Sequence, residues 1–206
     1  MGKLIAKTAL STFALLIGIA LILFGVLSLA APSIMISMAD DLGLDRLAAA
    51  YSVSIYNRTD RISDLADAVE RNYYVGEFSE CAKYGDKLKS HDDYTVYCAF
   101  RDERDSSSEI TGSRIGKYDQ YVSGLISVSY YKSNNKEKAL ATVLNALNGS
   151  FPKNNAAEYL AIVAIENQDS DFCETFANEL RKLTPSSSTE KISLSEFIQL
   201  LTKVSA

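Results

Sequence analysis

The sequence predicts an all-α protein: an N-terminal transmembrane helix followed by a solenoid of α-α hairpins. Three observations predict it. The chain opens on a long uncharged apolar run. Beyond that run, apolar residues recur at helical spacing, and strand-like alternation occurs in one short place. The connections between the periodic segments are short, which favours antiparallel neighbours.

The apolar run comes first. From Thr8 to Ala39 there is no Asp, Glu, Lys, Arg or His. Its centre, Ala9 to Ala31, spans roughly 34 Å as a helix, against about 30 Å of bilayer hydrocarbon. Leu15, Leu16, Ile17, Ile19, Leu21, Ile22, Leu23 and Phe24 supply the bulk of this anchor. The expected division is a short cytoplasmic tail at 1–8, the span at 9–31 and one outer domain at 32–206. Lys3 and Lys7 precede the span and no acid does, which favours an N-terminus kept inside and a plasma-membrane protein whose main domain is extracytoplasmic. The competing reading is a signal peptide cleaved near Ala30, where small residues cluster. The run is longer than the ~7–15 apolar residues usual for such a peptide. A buried core helix fits poorly, because the run has no polar face. Ala14, Gly18 and Gly25 share one side of the anchor and permit a homodimer by close helix approach. Small residues are also simply common in membrane helices.

Without Lys3 and Lys7 the chain carries 19 bases against 26 acids, a net charge of −7. That balance argues against nucleic acid, whose recognition needs a basic stripe. It leaves membrane lipid, through the anchor, and a protein or peptide as the expected partners. The outer part is long enough for one domain with a sizeable core. Abundant Asn, Lys, Ser, Tyr and Ile, with 3 Pro and no Trp, match the usage of low-GC Gram-positive bacteria. Cys81, Cys98 and Cys173 are an odd number and fall on apolar helix faces, so three buried thiols are expected rather than a Cys81–Cys98 bridge with one thiol left over.

Each later element has its own stripe. Ile34, Met35, Ile36 and Met38 carry apolar character past Pro32 into a helix near 33–42, and a second follows near 45–57. Ile62, Leu65, Ala66, Val69 and Tyr73 predict one over 61–75, with its partner over 77–89. Ser90-x-x-Asp93 opens the helix placed at 91–103, and Tyr118, Tyr121, Val122 and Leu125 predict 114–132. Inside it, Ile126 to Tyr130 alternates like a strand but has no partner strand. Ser123, Gly124 and Ser127 fit a helix that a neighbour approaches closely. Ala139, Leu140, Val143, Leu144 and Leu147 predict 136–148, capped at Asn134, and Asn155-x-x-Glu158 opens 156–167. Asp171-x-x-Glu174 with Phe172, Phe176, Leu180 and Leu183 predicts 170–183. Ser193-x-x-Glu196 with Leu194, Phe197, Ile198 and Leu201 predicts 194–204. The linker-like pieces are 105–113 and 184–190.

Gly124 to Pro152 resembles a tetratricopeptide repeat. Tyr130 stands in the first helix, Asn134-Asn135 at the turn, Ala139-Leu140 and Ala146-Leu147 follow, and Pro152 closes the unit. Asp64–Leu88, with Gly76-Glu77-Phe78 at its turn, and Leu160–Leu183 are looser copies. The family's early Trp and Leu-Gly pair are missing, and the copies are unevenly spaced. The resemblance implies a stack of helical hairpins with a concave face that holds extended peptides or partner helices.

A catalytic or metal constellation does not emerge. There is no phosphate loop, nucleophile elbow or zinc-ligand spacing, and neither an enzyme activity nor a cofactor is expected. His91 stands at an expected helix start and reads as a solvated first-turn residue. The tyrosines are the candidate contact residues: Tyr94, Tyr97, Tyr118, Tyr121 and Tyr130 cluster in the central helices, and Tyr is favoured at binding surfaces. The plainer reading is that most fill the core with the hydroxyl at its edge. A continuous exposed Tyr groove would favour a protein or peptide partner. An apolar pocket between hairpins would favour a small ligand, a lipid or a cell-wall fragment.

Overall fold

A computed structural model describes residues 2–106, 117–152 and 154–204. Among these residues the chain is entirely helical, with eleven α-helices and no strand. Helix α1 (Gly2–Ala30) contains the apolar run, Leu10–Ala30, long enough to be a membrane span or a signal sequence. The others are α2 (Pro32–Asp41), α3 (Asp45–Thr59), α4 (Ile62–Tyr74), α5 (Phe78–Lys89), α6 (Tyr94–Ser106), α7 (Tyr118–Lys132), α8 (Lys136–Leu147), α9 (Ala156–Glu166), α10 (Ser170–Leu180) and α11 (Ser188–Thr202). Neighbours in sequence pack as hairpin-like pairs from α2 to α5, and again from α7 through α11. Most of the linker-like segment at 105–113 lies outside the described residues.

The apolar run stands clear of the rest. Leu10–Ala30 is 21 residues long and none of it is buried within the chain. A Cβ added at Gly18 or Gly25 would meet nothing within 4 Å, so the fold itself makes no use of these small positions. The helix breaks at Ala31, at φ −141° and ψ 64°, and Pro32 restarts it. Proline suits that place because a first-turn N–H has no helical acceptor in any case. Tyr51 of α3 then reaches back to Ser28, with 2.6 Å between the hydroxyls, and the Arg58 guanidinium donates to the Leu29 carbonyl.

Two apolar cores share α7. One joins α4, α5 and α6 to the first half of α7 through Leu65, Val69, Cys81, Leu88, Leu125 and Ile126. The other joins the end of α7 to α8–α11 through Tyr131, Val143, Leu147, Leu160, Phe176 and Leu201. Every residue from Tyr121 to Ser129 is consequently buried. The alternation at 126–130 is thus part of a helix surrounded on all sides, which has no solvent face to show a 3.6-residue period. Close approach uses the small residues expected there: a Cβ on Gly124 would lie 2.5 Å from Tyr159 Cδ2 of α9.

Several caps fall away from their expected places, most by less than one turn and that of α11 by six residues. Ser90 closes α5, its hydroxyl donating to the Asp86 carbonyl at 2.8 Å, and does not open α6. Asn134 takes a left-handed turn at φ 61°, so Asn135 caps α8 by accepting from the Lys138 amide. Asp169 caps α10 in place of Asp171. Ser187, with Glu190 three residues on, starts α11 well before Ser193. Asn155 caps α9 as expected.

Candidate functional site

The sequence supplies α6 with an inner face of Tyr94, Tyr97, Cys98 and Arg101 at i, i+3, i+4 and i+7, which seats it on α4 and α7. Arg101 is the hub. Its side chain is 16% exposed and its Nη2 lies 3.5 Å from Glu70 of α4. Its Nη1 donates to the Tyr97 hydroxyl at 3.0 Å, and its guanidinium stacks 4.2 Å from the centre of the Tyr118 ring. That stacking accounts for Arg101 Nε, which is buried without a hydrogen-bond partner. Tyr118 donates its hydroxyl to Glu70 at 2.9 Å, and its amide donates to Asp102 at 2.8 Å. At the other end of the helix, Tyr94 donates to Asp119 at 2.8 Å, and Lys89 of α5 sits 3.3 Å from the same carboxylate.

Four of the five candidate tyrosines therefore meet under α6: Tyr94, Tyr97, Tyr118 and Tyr121. Tyr118 is fully buried and Tyr121 nearly so, at 5% exposure. Tyr121 shares a hydroxyl contact of 3.0 Å with Tyr74, and its ring is 5.9 Å from that of Tyr118. Tyr130 lies apart, donating to Asp86 of α5 with Lys138 5.2 Å over its ring. Tyr94, Tyr97 and Tyr118 with Arg101 form a polar seam that clamps α6 across α4 and α7, and Tyr94, Tyr118 and Tyr121 are buried rather than lining an open groove. Burial first, and the neighbouring carboxylates after it, push the phenols of Tyr94, Tyr118 and Tyr121 well above their ordinary range. Burial alone would lower the Arg101 pKa, but Tyr118, Tyr97 and Glu70 outweigh it and hold the guanidinium charged. In the seam Tyr94 and Tyr118 donate to carboxylates, Tyr97 accepts from Arg101, and Arg101 and Lys89 are the cations.

The remaining candidates are structural in their contacts. The His91 Nδ1 accepts the Asp93 amide at 3.1 Å, the role of a cap at the start of α6. All three cysteines are buried and unbridged. Burial raises the Cys81 thiol to about 12. It raises Cys98 to about 11, with the neighbouring Tyr94 hydroxyl offsetting part of the rise.

An open site does exist elsewhere, between α8 and α10. A trough of about 470 Å³ runs between these helices, floored by Leu140, Leu144 and Phe172 and edged by Glu137, Asp171 and Glu179. Its head is fixed by Asp169, which takes the Tyr131 hydroxyl at 2.6 Å and the Lys136 ammonium at 2.5 Å. Burial pushes the Asp169 carboxyl up, but Lys136 and Tyr131 outweigh it and leave its pKa below the usual carboxylate value. Glu137 and Asp171 form no ion pair among the described residues, while Glu179 is held by Lys182 at 2.6 Å. Sequence reasoning placed Leu140 and Leu144 in a core stripe. The available signal was the stripe's width: Ala139, Val143 and Leu147 already fill the core face, and Leu140 and Leu144 lie about 100° further round.

No protein-family model, no curated protein and no solved structure matches this chain.

Proposed function

We propose that this protein is a membrane-anchored, extracytoplasmic helical-repeat protein and acts as a non-catalytic adaptor that holds a protein partner at the cell surface. Support comes chiefly from the α8–α10 trough. From Lys136 to Leu144 it offers roughly 12 Å of helix length, about two turns. An apolar floor with an acidic edge suits an amphipathic partner helix with two or three apolar anchors flanked by Lys or Arg. The hairpin order α4/α5, α7/α8, α9/α10 agrees with a tetratricopeptide-like stack, closed by α11. In this reading α6 occupies part of the concave face, so the partner sits on the α8–α10 side. Ala14 and Gly25, exposed along the anchor, with Gly18 half-exposed between them, remain the proposed contact for a second copy.

A second reading is favoured by the trough's size, which lies within the ~300–1,000 Å³ of small-molecule sites. Here the occupant is a small apolar ligand, a lipid or a cell-wall fragment. One experiment separates the two. Tagged full-length protein is captured from gently solubilised membranes, as wild type and as the Leu140→Glu, Leu144→Glu variant. A stoichiometric protein lost from the variant supports the adaptor. A partner retained by the variant refutes the trough as its seat. Protein captured alone, with a small molecule released on unfolding, moves the conclusion to the second reading.

A further inference from the structure

We propose that the α2–α3 hairpin is a seat on the membrane, with Ile34, Met38 and Leu42 lying in the boundary between headgroups and acyl chains. The inference rests on the anchor being retained. Leu10–Ala30 covers roughly 31 Å as a helix, so Ala30 lies at the outer boundary when the span fills the hydrocarbon. Pro32 begins α2 one residue past the break, which leaves no length for a tether.

The hairpin is also tied to the end of the span. Tyr51 and Arg58, two turns apart on α3, both bond to its last turn, at Ser28 and at the Leu29 carbonyl. Tyr and Arg are side chains suited to this depth, with an apolar body and a polar tip. At i, i+4 and i+8, Ile34 (51% exposed), Met38 (42%) and Leu42 (69%) form one stripe, while Met35, Ile36 and Ala39 are buried. Leu44, in the turn, adds to the exposed apolar surface.

The charges decide what kind of surface covers the stripe. Asp40 is turned to Arg71 of α4, with two bonds of 2.8 and 3.2 Å. Asp41 and Asp45 are exposed at the tip of the hairpin. Two free acids disfavour attraction to an anionic surface, so the contact is apolar and needs only a zwitterionic bilayer.

The chain contains no Trp, so one introduced Trp reports its own depth without ambiguity. Full-length Met38→Trp is reconstituted in phosphatidylcholine vesicles with and without brominated phosphatidylcholine, which quenches indole on contact. Ile34→Trp repeats the measurement at a second exposed position. Leu16→Trp marks the span, and Phe100→Trp marks the exposed face of α6. The expected result is blue-shifted emission from Met38→Trp and Ile34→Trp, quenched by bromine at a shallow acyl carbon and insensitive to salt, with Phe100→Trp red and unquenched. If Met38→Trp and Ile34→Trp behave like Phe100→Trp while Leu16→Trp is quenched, the seat is refuted and the anchor stands. If Leu16→Trp is also unquenched, anchor and seat fall together.

Discussion

Gly124→Ala tests how closely α7 and α9 are packed. In an exposed helix this change stabilises by about 1 kcal/mol, because Ala loses less backbone freedom on folding. Here the new methyl would lie 2.5 Å from Tyr159 Cδ2, 2.7 Å from Cγ and 3.1 Å from Cβ. A swing of the side chain about χ1 relieves the first two contacts, but the third involves an atom fixed to the α9 backbone. Overpacking of this kind costs about 1–3 kcal/mol, and a clash that reaches Cβ belongs to the upper half of that range. The net expectation is a loss of roughly 1 kcal/mol or more, opposite in sign to the intrinsic propensity. Guanidinium unfolding of the full-length protein in a mild detergent, followed by circular dichroism, reads the difference. A double-mutant cycle with Tyr159→Ala completes it. Removing the ring leaves only the Cβ contact, so Gly124→Ala should be near neutral in that background, with a coupling of about 1–2 kcal/mol. A midpoint raised by Gly124→Ala in the wild-type background, or no coupling to Tyr159, would refute the close approach.

Other predictions concern the seam, the thiols and the caps. Arg101→Ala removes the cation beside Glu70 and the donor to the Tyr97 hydroxyl, and should cost roughly 2–3 kcal/mol, below the full cost for a buried pair because Glu70 is partly solvated and keeps the Tyr118 hydroxyl; Arg101→Met, which keeps the packing on Tyr118, should cost less. The raised phenols of Tyr94, Tyr118 and Tyr121 mean that the folded state holds protons that the unfolded state releases above about pH 10. Their contribution is therefore full below that pH and is lost progressively as pH rises from there toward the raised folded-state values. Unfolding midpoints should fall on the alkaline side, and Tyr121→Phe should flatten the fall. With Cys81 near 12 and Cys98 near 11, maleimide at neutral pH should label none of the three thiols until denaturant is added; fast labelling of native Cys81 would place it outside the core. Ser187→Ala should cost about 1 kcal/mol and fray the first turn of α11, whereas Ser193→Ala should be close to neutral, a contrast that circular dichroism and hydrogen exchange would record.

The helices were legible because burial on one face writes a 3.6-residue period into the sequence. Their starts were less so. Ser187-x-x-Glu190 and Ser193-x-x-Glu196 both have capping spacing, and the choice between them is made by packing rather than by the local pattern. Leu194 and Leu201 are buried and fix the helix, while the turn before them is added by Ser187 accepting the Glu190 amide at 3.2 Å. Asn134 and Asn135 pose the same ambiguity. It resolves once one of them takes positive φ, which Asn tolerates better than most residues.

The tyrosines show where such reading stops. Their number and helical spacing were visible, and so was the choice between core and contact surface. What decides that choice is the position of α6. A helix between two hairpins can continue the stack or lie across it, and the same i, i+3, i+4, i+7 face serves either arrangement. Here Arg101 and Asp102 reach α4 and the start of α7 while Tyr94 reaches Asp119, so polar contacts at both ends of α6 hold it across the stack. Contacts between residues 16 to 48 positions apart carry no local signature. The tyrosine face is thereby spent on folding, and an open apolar trough lies instead between α8 and α10. There the sequence offered only an apolar stripe broader than one neighbour can cover.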